Sequence, residues 1–255
     1  MLAVTSLFLA ATFPLPSGSL QNAFQSRPGA LVMIDCTTGQ TSRHDLPACE
    51  EKLPPCSTFK IWNALIGLET RKLSTPDAPF YKWDGVARPI PEWNRNLTLR
   101  EAFFVSCVPA FQDLARQIGA KSMKEWIDKI GYGDRNLSAG LDVFWLPAPD
   151  RKTLLISPEE QAVLIQKLVT GKLPVSEKSR AALKEVMKIS KTPRGALYGK
   201  TGTGLNAQGD PALGWFVGYA ETAGKTYAFA CTLKGASGKE ARHLIEQLLF
   251  QQGML

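Results

Sequence analysis

Ser57, Thr58, Phe59 and Lys60 form the one S-x-x-K in this 255-residue chain. On a helical turn the first and fourth residues share a face about 5 to 6 Å apart at Cβ, so the amine can reach the hydroxyl. A serine hydroxyl becomes a useful nucleophile when an adjacent base takes its proton. A lysine at its ordinary pKa already carries a proton, so the pair has chemistry only if the lysine is desolvated or modified. The apolar run that follows, Ile61 to Glu69 (IWNALIGLE), has helical spacing and supplies apolar surroundings. Taken alone, the motif is weak and reads more readily as a helix cap followed by a solvated lysine.

Two further tripeptides follow in order. Ser106-Cys107-Val108 lies between helical segments, where a hydroxyl can point into a cleft, and Lys200-Thr201-Gly202 lies on an expected strand bordered by Gly199 and Gly204. A strand facing a cleft can pair with a peptide-like substrate, Lys200 can bear on an anionic group, and Gly202 permits close backbone approach. Each tripeptide alone reads as structural, the first as a buried helix end and the second as a turn. The ordered set of three is what points to a site.

The elements that must hold these residues can be read around them. Ala30 to Asp35 (ALVMID) is a buried strand followed by a turn at Gly39. From Leu97 to about Ser190 the pattern is helical nearly throughout, with cap signals at Ser157, followed by Pro158 and acidic residues, and at Ser176, followed by Glu177. Beyond Gly195 three strands follow, the last two joined by a short TAG turn, and an amphipathic helix over roughly 239–251 closes the chain. The expected fold is α+β: an antiparallel sheet with flanking helices and a mostly helical lobe at about 61–190, inside one catalytic domain spanning 20–255.

Met1 to Pro14 is apolar over the length of an export signal, and Ser17 to Ser19 offer small residues for cleavage, which makes 1–19 a signal peptide and the mature chain periplasmic or secreted. No Lys or Arg precedes that run, so an ordinary first strand or a misassigned start codon is the competing reading. No later run is apolar enough to span a bilayer, and no membrane association is expected after signal removal.

The net charge of +7 comes from scattered Lys and Arg, with no basic run or aromatic-interleaved stripe, so no nucleic-acid partner is expected. Five cysteines include no C-x-x-C, and the two histidines, His44 and His243, lie far apart and read as surface residues; no metal site is expected. In an exported chain Cys36 and Cys49 could close a surface loop, while Cys107 and Cys231 read as small buried apolar residues. A Ser-His-Asp hydrolase is disfavoured because no G-x-S-x-G is present, and GTGLNA at 202–207 lacks the following helix that a dinucleotide fingerprint needs.

With these residues in hand, the chain resembles the serine β-lactamases and penicillin-binding proteins, and most closely the class D β-lactamases. The resemblance rests on STFK at Ser57 to Lys60, S-x-V at Ser106 to Val108, YGD at Tyr132 to Asp134, FWL at Phe144 to Leu146, KTG at Lys200 to Gly202 and GWFVGY at Gly214 to Tyr219. It implies hydrolysis of a small-molecule β-lactam through a Ser57 acyl-enzyme. Lys60, carbamylated by CO2, would be the general base for acylation and deacylation, held by the Trp145 indole with Val108 as an apolar wall. Ser106 would relay a proton to the leaving nitrogen, and the backbone N–H groups of Ser57 and Thr203 would form the oxyanion hole. Lys200, Thr201 and Gly202, with Arg242 on the last helix, would hold the substrate carboxylate. Beyond CO2 or bicarbonate no cofactor is implied. The alternative within the superfamily is a sensor or penicillin-binding domain that acylates and turns over slowly. YGD in place of the commoner YGN leads us to read Tyr132 to Asp134 as structural, and Cys56 and Cys107 beside the motifs are departures without a sequence-level explanation.

Overall fold

A computed structural model describes residues 13–255, so residues 1–12 of the expected signal segment lie outside the described residues. The helices are α1 (Ser17–Phe24), α2 (Leu46–Glu50), α3 (Lys60–Glu69), α4 (Leu99–Phe104), α5 (Val108–Ile118), α6 (Ala120–Ile130), α7 (Pro158–Val169), α8 (Glu177–Met187) and α9 (Gly238–Gln251). The strands are β1 (Gly29–Asp35), β2 (Thr41–His44), β3 (Pro79–Tyr81), β4 (Leu97–Thr98), β5 (Lys188–Lys191), β6 (Gly195–Leu205), β7 (Pro211–Thr222) and β8 (Lys225–Lys234).

Six strands form one antiparallel sheet in the order β2-β1-β8-β7-β6-β5, while β3 and β4 pair separately. Every residue of β1 is buried, which is why ALVMID reads as a continuous apolar run: its even-numbered residues join the core beneath the helical lobe, and Leu31 and Met33 join the core against α1 and α9. The β7–β8 hairpin turns through Ala223 and Gly224, both at positive φ, the backbone pair that a two-residue hairpin with the sheet's twist requires.

The α+β architecture matches the expectation, with corrections in detail. The sheet has two edge strands that the sequence did not suggest, β2 (TSRH) and β5 (KISK), and the helical reading toward Ser190 stops at Met187. The lobe is also interrupted by an irregular stretch between Ile130 and Pro158. Ser157 and Ser176 do cap their helices, Ser157 through a full capping box with Glu160, in which each side chain satisfies the other residue's free backbone N–H.

At the N-terminal side, Ser17 to Ser19 open α1, and Leu15, Leu20 and Phe24 are buried in the α9-side core. All five cysteines are free thiols, so Cys36 and Cys49 do not close a loop: Cys49 is buried, with its thiol directed at the carbonyls of Leu31 and His44, and Cys36 points to the carbonyl of Ile34. Cys107 and Cys231 are fully buried, as their apolar surroundings suggested. His44 is half-buried and stacked on Phe24 with centroids 3.9 Å apart, a correction to its surface reading, whereas His243 is exposed. Among the described residues no helix is long and apolar enough to cross a membrane.

Candidate active site

The S-x-x-K sits at a change of helix type. Cys56–Phe59 form a single 3-10 turn and Lys60 is the first residue of α3, a helix whose residues are buried through Leu68. The turn is pinned from three directions. The Trp215 indole N–H on β7 donates to the Pro54 carbonyl at 2.9 Å, the Thr58 hydroxyl donates to the Pro55 carbonyl at 2.6 Å, and Leu53 bridges to Ile156. Lys60 Nζ is thereby placed 2.7 Å from Ser57 Oγ.

Lys60 is 0% exposed and, among the described residues, pairs with no carboxylate. Burial, and next the positive charge of Lys200, hold its amine well below the ordinary lysine pKa, so the neutral form that can accept a proton is favoured. The Phe111 ring faces the amine at 5.6 Å. Trp145 stacks on Phe59 at 5.2 Å, and its buried indole N–H has no hydrogen-bond partner. Such an orphaned donor costs free energy unless something accepts from it, and a buried amine favoured in its neutral form, with a free indole N–H stacked on the residue before it, fits a carbamate on Lys60.

Ser106 follows α4 at φ +55°. Its N–H donates to the Phe103 carbonyl and that of Cys107 donates to the Ala102 carbonyl, the double closure of a Schellman turn. The left-handed position in this turn is ordinarily a glycine's, so a serine there is backbone strain retained at a site residue. Trp93 braces the same turn by donating its indole N–H to the Val105 carbonyl at 2.9 Å. Val108 opens α5, half-buried, two residues on.

The KTG segment lies on β6, which packs on the Ser57 turn. A Cβ on Gly202 would stand 3.1 Å from the Pro55 oxygen and 3.2 Å from Ser57 N, so glycine lets the strand backbone come against the Ser57 turn. Lys200, 4% exposed, has its amine 5.7 Å from the Phe103 ring; burial, then the nearby Arg242 charge, brings its pKa down to about 7. Thr201 is half-buried, and the exposed Thr203 accepts a hydrogen bond at Oγ1 from the Gly238 N–H at 2.9 Å, joining β6 to the start of α9. Arg242, one turn further along α9, pairs through Nε with Glu246 at 2.8 Å. The structure therefore brings Ser57, Lys60, Lys200 and Gly202 together, with Arg242 at charge-interaction distance from Lys200.

Sequence reasoning missed the braces: Trp93, Gln161, Glu246 and the rings of Phe103 and Phe111. Gln161 had one available signal, its place just after the Ser157 capping box. For Tyr132 to Asp134 the structural reading agrees with the contacts, since Tyr132 is buried against Phe59 and Trp62 and Asp134 Oδ1 accepts from the N–H groups of Asn136 and Leu155.

Comparison with known proteins gives the same picture. The family model of the penicillin binding protein transpeptidase domain matches residues 25–252. The chain is 34% identical over 237 residues to the probable beta-lactamase YbxI of Bacillus subtilis, covering 93% of this chain and 85% of that protein. It is 36% identical over 203 residues to beta-lactamase OXA-10 of Pseudomonas aeruginosa, covering 79% and 74% respectively. The solved class D beta-lactamase from Bacillus subtilis superposes with a TM-score of 0.86 at 34% identity, covering 92% of this chain and 95% of that one. The chain belongs to the penicillin-binding protein transpeptidase family and, within it, to the class D β-lactamases.

Proposed function

We propose that this chain hydrolyses β-lactam antibiotics through a covalent Ser57 acyl-enzyme. The observation that carries the reading is Ser57 Oγ at 2.7 Å from the amine of a fully buried, carboxylate-free Lys60, with the KTG strand packed against the same turn. Ser57 attacks the lactam carbonyl as its proton passes to the Lys60 side chain. The N–H groups of Ser57 and Thr203 receive the developing oxyanion, which fixed donors stabilise best because they need no reorganisation. Ser106 passes a proton to the departing lactam nitrogen, and Lys200, Thr201 and Arg242 hold the substrate carboxylate by charge-assisted hydrogen bonds.

Carbamylation by CO2 would give Lys60 a carboxylate-like base suited to both acylation and deacylation, with the free Trp145 N–H as its donor and Val108 as an apolar wall. Burial supports this, because only an unprotonated amine reacts with CO2. Export to the periplasm or medium belongs to the same reading and rests on the apolar Met1–Pro14 stretch; terminal sequencing of protein from fractionated cells tests it.

The experiment is hydrolysis of a chromogenic cephalosporin by purified protein, with and without bicarbonate, followed by intact-mass analysis after penicillin. Many turnovers stimulated by bicarbonate are expected. One stoichiometric burst with a lasting adduct would instead define a sensor or a slow penicillin-binding domain, and no adduct would leave Ser57 without a role.

A further inference from the structure

Beneath the Ser57 turn lies a chain of buried polar groups that the proposed chemistry does not use. The Tyr132 hydroxyl lies 3.4 Å from Gln161 Oε1, Gln161 Nε2 donates to Thr58 Oγ1 at 2.9 Å, and Thr58 Oγ1 donates to the Pro55 carbonyl at 2.6 Å. Tyr132, Gln161 and Thr58 are each 0% exposed. Their donors and acceptors match in one direction only: a hydroxyl has a single proton, and Thr58 gives it to Pro55 while accepting from Gln161. Each link so polarises the next.

The end of this chain is mechanically significant. Pro55 begins the turn, and Cys56, the next residue, is held at φ +51°, an uncommon conformation for a side-chain-bearing residue. The Cys56–Ser57 peptide supplies the Ser57 N–H proposed for the oxyanion hole, and the Pro55 oxygen and Ser57 N both face the backbone of Gly202. The direction of that N–H therefore depends on what holds the Pro55 carbonyl, which accepts from the Thr58 hydroxyl at 2.6 Å and from the Thr58 backbone N–H at 3.2 Å. Gln161, on α7 and 103 positions from Thr58, ties the Thr58 side chain to the body of the domain, beside the anchors that Trp215 and the Leu53–Ile156 bridge give the segment before it.

We infer that Gln161, acting through Thr58, is a positioning residue for the oxyanion-hole peptide of Ser57, with Tyr132 fixing the orientation of the Gln161 amide. Gln161 touches neither substrate nor nucleophile; it sets the angle at which the Ser57 N–H meets the developing charge. This rests on the reading of Ser57 as nucleophile.

The test is a double-mutant cycle with Gln161→Leu and Thr58→Val, singly and together. Single-turnover acylation by penicillin is followed by intact mass, and non-covalent penicillin binding is measured for the same changes placed in Ser57→Ala. Each single change is expected to slow acylation about tenfold or more, the scale on which small misplacements act. The double variant is expected to be no slower than the worse single one, because both cut the same chain. Binding should be unchanged, and Thr58→Ser, which keeps the hydroxyl, should acylate at the wild-type rate. Losses that multiply, acylation that does not change, or binding that weakens in step with rate would overturn the inference. Should Gln161→Leu fail to fold, the comparison of Thr58→Val with Thr58→Ser decides it. Wild-type protein that takes up no penicillin would sink the enzymatic reading itself, an outcome distinct from normal acylation in the variants.

Discussion

Gly238 packs so closely on Gly202 that a methyl group on Gly238 would stand 2.4 Å from the Gly202 carbonyl oxygen. The first residue of α9 thus sets the spacing between the helix carrying Arg242 and the strand carrying Lys200 and Thr201. Gly238→Ala must push the two apart. Overpacking of this kind costs roughly 1–3 kcal/mol of stability, and the KM for carboxylate-bearing β-lactams is expected to rise by about tenfold, the equivalent of 1.4 kcal/mol, with kcat less affected. A folded Gly238→Ala protein with unaltered KM would show that the helix–strand spacing does not govern carboxylate binding.

Ser106 occupies a left-handed position for which glycine is the unstrained residue. Ser106→Gly is expected to stabilise the protein by about 1 kcal/mol while acylation slows through loss of the hydroxyl. Thermal melting and single-turnover acylation read the two effects independently. A variant both less stable and fully active would remove the case that strain is retained here for function.

Lys60 contributes an unfavourable, pH-dependent share of stability. Its folded pKa lies well below the ordinary 10.5 that it regains on unfolding, chiefly through burial. Between the two values the unfolded chain binds the extra proton, so stability rises with pH across that window and the penalty is present at pH 7. Lys60→Met should therefore melt at a higher temperature than wild type at pH 7 in CO2-free buffer, abolish turnover, and lose its stability advantage as the pH approaches 10.5. A stability difference independent of pH would contradict this account.

Trp145, stacked on Phe59 beside Lys60 in sequence, carries a buried indole N–H without a partner, the donor proposed for a carbamate on Lys60. Trp145→Phe keeps most of the ring packing against Phe59 and Phe144 and removes only the donor and part of the ring system. Turnover in this variant is expected to depend more steeply on added bicarbonate than in wild type. Matching bicarbonate titrations for the two proteins would rule out a carbamate held by Trp145.

The parts of the fold legible in the sequence were those with a strong local signal: the two-faced apolar strand β1, the β7–β8 hairpin and the serine caps of α7 and α8. The two edge strands were missed because TSRH and KISK carry no apolar run; they pair because neighbouring strands offer them free backbone groups, which composition does not record. The motif residues of the site were visible, but the groups that aim them were not. Gln161 and Trp93 act by hydrogen bonds to backbone carbonyls or hydroxyls distant in the sequence, and Glu246 pairs with Arg242 on a helix face that would read the same if merely solvated.

The pairing of β1 with β8, from Gly29 opposite Leu233 to Asp35 opposite Tyr227, bears on how the protein is made. A ribosome delivers β1 early, when β2 is its only available neighbour, and supplies the other neighbour some two hundred residues later. Until then an apolar strand with two sticky faces has one bare edge, a template for pairing with other chains. Loop closure over that distance is slow and cannot begin before β8 has emerged. Products that stall within the helical lobe would carry the nucleophile without the opposite wall of its cleft, which is complete only when β6, β7 and β8 have joined the sheet.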